Sequence, residues 1–403
     1  MAKKIHKTQN DSKREIPSSL YAAFDTFPAP KGAAVHIREF ASTLFRFMGN
    51  GLLLVLGNEE LPSWQIEEGF EIRRLVSDEN NYLRKAFQFY DFVRYHTECI
   101  AKNLKIAHFR DPWSGSAILD VSDHTFKTVF EVNALPSIEL PARYSGVGAN
   151  TLEKIRKSEM RCLAECDYIV CPSLTIRNFL QTLGVQAEKI SVIPNGAEVP
   201  EQKFARPETA PDKYLIYFGA VQSWQGIEIL FKAMKFLRDF HDLYLVLCVS
   251  GAKDRLKYLR KLADRMEIGH RLVWNLKMNQ LELQPWIAHA SLSIAPLVEC
   301  SRNLVQGCCP LKIVESMSHG IPVVSSDLPV VRELIDHGFD GWLVRPDRPS
   351  ELARAIRLLL LHPEKAEKIG VNGQNKIKNK LSWQICVKKL ENTYRKVLYS
   401  SAK

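Results

Sequence analysis

Between Ala295 and Asp327 the chain reads APLVECSRNLVQGCCPLKIVESMSHGIPVVSSD, and this stretch holds the residues best suited to bind a charged ligand. Pro310 suits the first turn of a short helix and Gly320 the position past its end. The apolar, β-branched run from Ile321 to Ser326 then reads as a buried strand. The turn before the helix therefore falls at the carboxyl edge of a parallel sheet, where ligands of α/β proteins collect. Unpaired amides at the helix start suit a phosphate, and Lys312 adds a cation. Glu315, about one turn further on, can accept hydrogen bonds from the vicinal hydroxyls of a ribose. Phosphate beside ribose describes a nucleotide. An ordinary buried βαβ unit with a surface glutamate is the plainer reading of the same residues.

Other candidates lie at similar strand ends. Ser19 to Phe27 reads as a first strand, and Lys31, Gly32, Ala33 and Ala34 after it allow a ligand to approach backbone at a strand-to-helix turn. His36 opens the following helix and either faces a cleft or serves as a capping or surface residue. Leu104 to Phe109 reads as a strand ending in Arg110 and Asp111, charged residues at a carboxyl edge that are either cleft groups or a surface pair. Lys127 to Val132 leads to Asn133 and the segment ALPSIELPARYSG, which reads as a mobile, polar, acceptor-side loop with Glu139, Arg143 and Tyr144.

The elements that position these residues alternate strand and helix through both halves of the chain. Gly51 to Leu56 and Phe70 to Val76 read as strands. The long helix between Asn81 and Asn103 presents Leu83, Phe87, Tyr90 and Val93 on one face, with Phe89, Phe92 and His96 on another. Asn195 and Gly196 form a turn, and the Pro-rich polar stretch GAEVPEQKFARPETAPDK marks a domain boundary near residue 200. The second half restarts with a strand from Tyr214, a turn at Gly219 to Gly226 and a helix from Ile227. The fold class is α/β, with two Rossmann-like doubly wound parallel-sheet domains facing across a cleft, residues 19–200 and 201–380. Residues 1–18 read as a basic, disordered arm and 381–403 as an amphipathic helix bracing the N-terminal domain.

The 403 residues exceed what one core usually fills, and the apolar share of 46% is that of a soluble globular chain. No apolar run approaches the ~20 residues of a spanning helix, and the charged N-terminus is not a signal peptide. Nine cysteines without paired spacing point to reduced thiols in a cytoplasmic protein and to no zinc set. The net charge of +10 favours an anionic partner. Without a nucleic-acid motif, an anionic membrane surface or a nucleotide fits better than nucleic acid, so the expected place is the cytoplasm, peripheral at the inner face of the membrane.

Taken in order, PAPKGAAVHI, FEVNALPSIELPARYSG, KISVIPNGAEV, YLIYFGAVQSWQGIEILFKAM and GCCPLKIVESMSHGIPVVSSDLPVVRELIDHGFDGWLVRPDRPSELARAI resemble the GT-B nucleotide-sugar glycosyltransferases. The likeness is to the retaining family 4, among members with an EVNA segment. The resemblance implies a GT-B fold and transfer of a sugar, with retention, from a nucleoside-diphosphate sugar to a lipid-linked or polysaccharide acceptor. It implies that Glu315 binds the donor ribose and that Cys309, Pro310, Leu311 and Lys312 approach the sugar and diphosphate. Gly219 through Gln225, opposite Gly32, would lie under the phosphates. His36, Glu139 and Arg143 fall on the acceptor side, and Arg110, Asp111 and Asn133 are the catalytic candidates. No cofactor is expected and no metal, because the chain has no Asp-x-Asp pair. This chain departs from the family at Ala220 and Gln225, where Arg and Lys are frequent, leaving Lys312, Lys31 or Arg302 to compensate. It departs again at Gly307, where family members often carry the first of two glutamates. A sugar-nucleotide epimerase of the same fold and a non-catalytic partner subunit remain open beside the transferase.

Overall fold

Apolar runs without alternation, such as LLLVL at 52–56 and LYLVLCVS at 243–250, leave both faces of a strand needing cover, which helices on each side of a parallel sheet supply. The computed structural model describes residues 16–29, 32–144 and 146–399, so most of the N-terminal arm, Lys31 and residues 400–403 lie outside it. The first sheet contains β1 (Ser19–Thr26), β2 (Leu52–Leu56), β3 (Trp64–Glu67), β4 (Phe70–Leu75), β5 (Ile106–Phe109), β6 (Lys127–Glu131), β7 (Tyr168–Cys171) and β8 (Ile190–Val192). Their order is β3-β4-β2-β1-β5-β6-β7-β8, parallel except where β3 pairs with β4. The second contains β9 (Lys213–Ala220), β10 (Leu243–Ser250), β11 (Leu272–Leu276), β12 (Leu292–Ala295), β13 (Val323–Ser326) and β14 (Trp342–Val344), in the order β11-β10-β9-β12-β13-β14. Each sheet reverses its winding beside its first strand, between β1 and β5 and between β9 and β12. Loops leaving the carboxyl ends there frame a crevice.

The chain crosses between the domains twice at one place. Ala197 donates its amide to the Leu381 carbonyl at 3.1 Å. A Cβ on Gly196 would sit 2.8 Å from the Trp383 backbone, so the outgoing and returning strands touch. The final helix, Trp383–Tyr399, then lies against the first sheet. Its buried Trp383, Cys386, Leu390, Tyr394 and Val397 share a core with Tyr21, Ile37 and Phe40.

Some expectations need correction. The hairpin β3–β4 was not expected, because β3 lacks a clean apolar face. Its tight turn places Glu68 at φ 50° and Gly69 at φ 86°, both left-handed. The segment after Asn133, expected as a mobile loop, contains the helix Pro136–Arg143, with Pro136 in its first turn and Leu140 buried. In the helix Tyr82–Ile100 the buried stripe is Ala86, Phe89, Val93, Thr97 and Ile100, while Phe87 is 69% exposed. Phe89 and Val93 had been placed on different faces, yet their four-residue spacing puts them on one.

Leu390 is fully buried between the domain's first helix and the sheet. Leu390→Ala should lower the unfolding free energy by about 2–5 kcal/mol, read from urea denaturation. A loss below about 1 kcal/mol would mean that the last helix is not part of this core.

Candidate active site

A carboxylate ends the buried strand β6. Glu131 is 1% exposed and collects polar groups from most of the first domain. It accepts hydrogen bonds from Tyr21 Oη at 2.6 Å, from Arg110 Nε at 2.7 Å and from the Asn133 side-chain amide. His36 Nε2 lies 2.9 Å away and His108 Nε2 3.3 Å away, as ion-pair contacts rather than aligned hydrogen bonds. Burial opposes ionisation of Glu131, yet the charges of His36 and Arg110 and the adjacent His108 ring hold its pKa well below the usual carboxylate range. Burial lowers that of His108, whose Nδ1 is 2.8 Å from Tyr394 Oη of the last helix. His36 Nδ1 meets Asn195 Oδ1 at 2.6 Å, and Asn195 Nδ2 donates to the Cys309 carbonyl at 2.8 Å. A continuous polar path therefore runs from the first domain's buried charge, through the hinge, to the loop at residue 309.

That loop is one wall of a cleft of about 380 Å3 between the domains. Gly32 and Ala33 face it from the first domain. Gly219, Gln225, Lys277, Gln280, Arg302, Cys309 to Lys312 and Glu315 face it from the second. The helix Leu311–Ser318 starts at this wall, with Pro310 as an N-cap that supplies no side-chain bond. Lys312 is 7% exposed, and its Nζ lies 4.0 Å from the centre of the Tyr217 ring and donates to Gln225 Oε1 at 2.7 Å. Burial brings its pKa down to about 7. Burial pushes Glu315 up to about 7, against a hydrogen bond from Gln280 Nε2 at 3.2 Å. Gln225, standing where the family often has a lysine, thus holds a lysine that arrives from the facing helix. A larger hollow of about 900 Å3 sits at the edge strand β14, away from the switch point. Its Arg332 and Arg345 are paired with Asp327 and Glu351.

The proposed site residues thus fall into groups. Gly32, Gly219, Gln225, Cys309, Pro310, Leu311, Lys312 and Glu315 come together around one cleft. Arg110 and Asn133 meet at Glu131. Asp111 does not join them. Its carboxylate caps the helix Pro112–Leu119 through Ser114 N at 2.8 Å and holds Phe24 N at 2.7 Å. His36 is not a cleft group either, because it is 3% exposed and enclosed between Glu131 and Asn195.

Glu139 and Arg143 close the seam between the domains. Arg302 Nε donates to Glu139 Oε1 at 2.7 Å and Arg143 Nη2 to Glu139 Oε2 at 3.2 Å. Both guanidinium groups lie over the Trp224 ring, at 5.1 Å for Arg302 and 5.8 Å for Arg143. Further contacts seal it: Leu135 N donates to Gln306 Oε1 at 2.8 Å, and Glu333 accepts from Leu174 N at 2.6 Å and Thr175 N at 2.9 Å.

Gly307 lies in this seam with φ 91°. A Cβ there would meet Thr175 Cγ2 and Ile176 Cγ1 at 3.0 Å. A glutamate would be strained and directed at the first domain. Tyr21, His108, Glu131, Asn195 and Tyr394 were not singled out by sequence. The available signal was a charged residue at the carboxyl end of the strand KTVFE, directly after Val129 and Phe130.

Two doubly wound domains facing across a cleft, with a cation and a carboxylate at one helix start opposite a glycine turn, define a GT-B fold. Residues 30–199 match the family model described as Glycosyltransferase Family 4, and residues 198–376 match that described as Glycosyl transferases group 1. The chain belongs to the group 1 glycosyltransferases. It is 23% identical over 385 residues to the uncharacterized glycosyltransferase MJ1607 of Methanocaldococcus jannaschii, covering 90% of this chain and 94% of that one. Over 193 residues it is 24% identical to the O-antigen chain mannosyltransferase RfbU of Salmonella typhimurium, covering 48% of this chain and 50% of RfbU, about half of that relative's length. Among solved structures, sucrose-phosphate synthase from Thermosynechococcus elongatus superposes with a TM-score of 0.76 at 17% identity, over 95% of this chain and 100% of that one. HepE of Anabaena, in complex with UDP and glucose, gives 0.73 at 16% identity, over 94% and 99%. At these identities the structural likeness speaks for the fold.

The opposite pKa shifts of the buried Glu131 and the half-buried Glu315 give opposite pH signatures. The stability that Glu131 contributes is present above the ordinary value of 4.5 and drains away as pH falls below it. Glu131→Gln should remove that acid limb and, by leaving Arg110 buried without its partner, cost about 3–5 kcal/mol at pH 7, measured by urea unfolding at a series of pH values. Glu315 titrates upward instead, so its contribution is full below 4.5 and is lost as pH rises through about 7. Glu315→Gln should therefore melt higher than the wild type at pH 8 and match it near pH 4. An equal offset at both pH values would contradict the raised value.

Proposed function

We propose that this chain transfers a sugar from a nucleoside-diphosphate sugar to a hydroxyl of a lipid-linked or polysaccharide acceptor, with retention at the anomeric carbon. The observation that carries the reading is the Lys312–Gln225 pair beside Glu315 at the start of the helix Leu311–Ser318. The helix start and Lys312 suit the diphosphate, and Glu315 suits the ribose hydroxyls. The complex of HepE with UDP and glucose and the mannosyltransferase name of RfbU support a sugar nucleotide as donor and a glycan as acceptor.

In this reading the bond between the anomeric carbon and the β-phosphate oxygen breaks as the acceptor oxygen bonds to the same face of the sugar. The acceptor proton passes to the departing phosphate oxygen. Negative charge grows on the diphosphate in the transition state, and the Lys312 ammonium and helix amides stabilise it there. Lys277 adds positive potential at the cleft wall, whereas the charge of Arg302 is already met by Glu139. Arg110 and Asn133, at the carboxyl ends of β5 and β6, would form the first-domain side of the acceptor site, with Asp111 holding the Phe24 amide of β1 and the start of the helix after β5. Among the described residues no helix is long and apolar enough to cross a membrane. The net charge of +10 supports a peripheral place on the anionic cytoplasmic leaflet for an enzyme with a lipid-linked acceptor.

A panel of nucleoside-diphosphate sugars tests the reading. The matching donor should raise the melting temperature and slowly release its nucleotide without acceptor. Lys312→Met should weaken nucleoside-diphosphate binding about tenfold to a hundredfold, the range for a hydrogen bond to a charged group, with little effect on the bare nucleoside. Recovery of donor with an altered sugar would establish the epimerase instead. Absence of binding and turnover across the panel would leave the partner-subunit reading.

A further inference from the structure

The helix Pro136–Arg143 stands between two spaces. Its Glu139 and Arg143 meet Arg302 and Trp224 in the seam that leads to the cleft. Leu135 and Ile138 line a separate hollow of about 410 Å3 on the first domain. Leu152 and Met160 of the helix Ala149–Glu165 close another side, and Phe179 and Leu183 a third. Apart from Leu135, these apolar side chains are only half-buried, although all surround one space. Close packing is the rule in protein interiors, and an apolar hollow of this size open to solvent is an exception.

The chemistry of the walls limits what fits. Glu159 is the one acid buried in the wall, and both its oxygens are taken, by Ser137 N at 2.7 Å and Ser137 Oγ at 2.6 Å. That leaves the interior suited to hydrocarbon. The rim carries Arg156 and Glu153, and the exposed Lys154 and Lys157 stand on the same turn just outside it, Lys157 at 3.7 Å from Glu153, so that cations outnumber the acid there. An apolar slot with cations at its mouth is complementary to a hydrocarbon chain carrying a phosphate. Only the helix Pro136–Arg143, about 10 Å across with its side chains, separates the slot from the seam. One molecule can therefore reach over it, with its chain in the slot and its sugar end toward the cleft.

We propose that this hollow holds the first part of the hydrocarbon chain of a lipid-phosphate-linked acceptor, with Arg156 beside the phosphate. The proposal rests on the glycosyltransferase reading for the identity of the ligand, and binding to the hollow can be measured without turnover. Calorimetry with the full chain and dodecyl, decyl and octyl phosphate, each below its micelle concentration, reads it directly. Affinity should fall about fourfold for each methylene removed, which is ~0.8 kcal/mol per buried CH2, and inorganic phosphate should show no heat of binding. Leu152→Trp, which fills the slot, should weaken dodecyl phosphate at least tenfold while the thermal shift with nucleoside diphosphate stays as in the wild type. Ile138→Phe is the smaller filling variant, to be used if Leu152→Trp loses that shift. Arg156→Gln should weaken dodecyl phosphate several-fold and leave dodecyl maltoside unchanged. Wild-type affinity in the filled variant, or affinity independent of chain length, would overturn the proposal. If nucleoside diphosphates fail to bind while the chain-length series holds, the transferase reading falls and the hollow stands.

Discussion

A charge buried in a protein must be surrounded, and Glu131 shows how much of a fold one such charge can organise. Transfer of a carboxylate out of water is prohibitive unless opposite charge and hydrogen bonds replace the lost solvent. The groups that do so here come from β1 through Tyr21, from the first helix through His36, from β5 through His108 and Arg110, and from the loop after β6 through Asn133. None is close to Glu131 in sequence apart from Asn133. The carboxylate therefore fixes the relative positions of the carboxyl ends of the central strands, which is where a doubly wound domain keeps its ligands. Two members of the set reach further. His108 contacts Tyr394, which anchors the returning helix, and His36 contacts Asn195, which holds the Cys309 carbonyl. The cleft loop at Cys309 in the second domain is thus joined by a line of polar contacts to a buried charge in the first.

Electrostatics in the cleft follow the opposite rule. Lys312 and Glu315 are also shielded, but each has a single neutral amide partner, Gln225 and Gln280. Burial then dominates, and each is displaced toward its uncharged form. This is a site whose charges the protein compensates incompletely. A diphosphate would restore the ammonium of Lys312, whereas Glu131 is already satisfied and has nothing left to offer a substrate. The contrast separates a carboxylate that builds the site from one that reads it.

The fold was legible because its signals are long. Unbroken apolar strands alternating with amphipathic helices, and a Pro-rich crossing near residue 200, leave few arrangements other than two doubly wound domains. The convergence of Lys312 and Glu315 on one cleft was legible for the same reason: Pro310, Lys312, Glu315 and Gly320 lie close together in sequence and one helix places them. What escaped were interactions distant in sequence. His36 and Asp111 stand at strand and helix ends that resemble site positions, and only the three-dimensional partners, Glu131 and Asn195 for one and Phe24 and Ser114 for the other, show them buried or used as caps. The helix Pro136–Arg143 was hidden by its two prolines, and β3 by side chains that alternate weakly and a left-handed Glu68.

The departures from the family pattern are explained by the same geometry. A glutamate at position 307 is of use to a donor sugar only if the backbone there faces the cleft. In this chain the segment from Arg302 to Gly307 turns toward the first domain: Arg302 pairs with Glu139, Gln306 accepts from Leu135, and Gly307 lies against Thr175 and Ile176. Its φ of 91° and the 3.0 Å approach make any side chain there strained and crowded. The loss of the acid and the closure of the seam are therefore one structural change, since a residue that packs two domains together cannot also project a carboxylate between them. The exchange at Gln225 has the same character. A lysine there would confront Lys312 across 2.7 Å, and like charges at that separation in a shielded site are strongly unfavourable. Here the cation comes from the facing helix, and the Gln225 amide orients it.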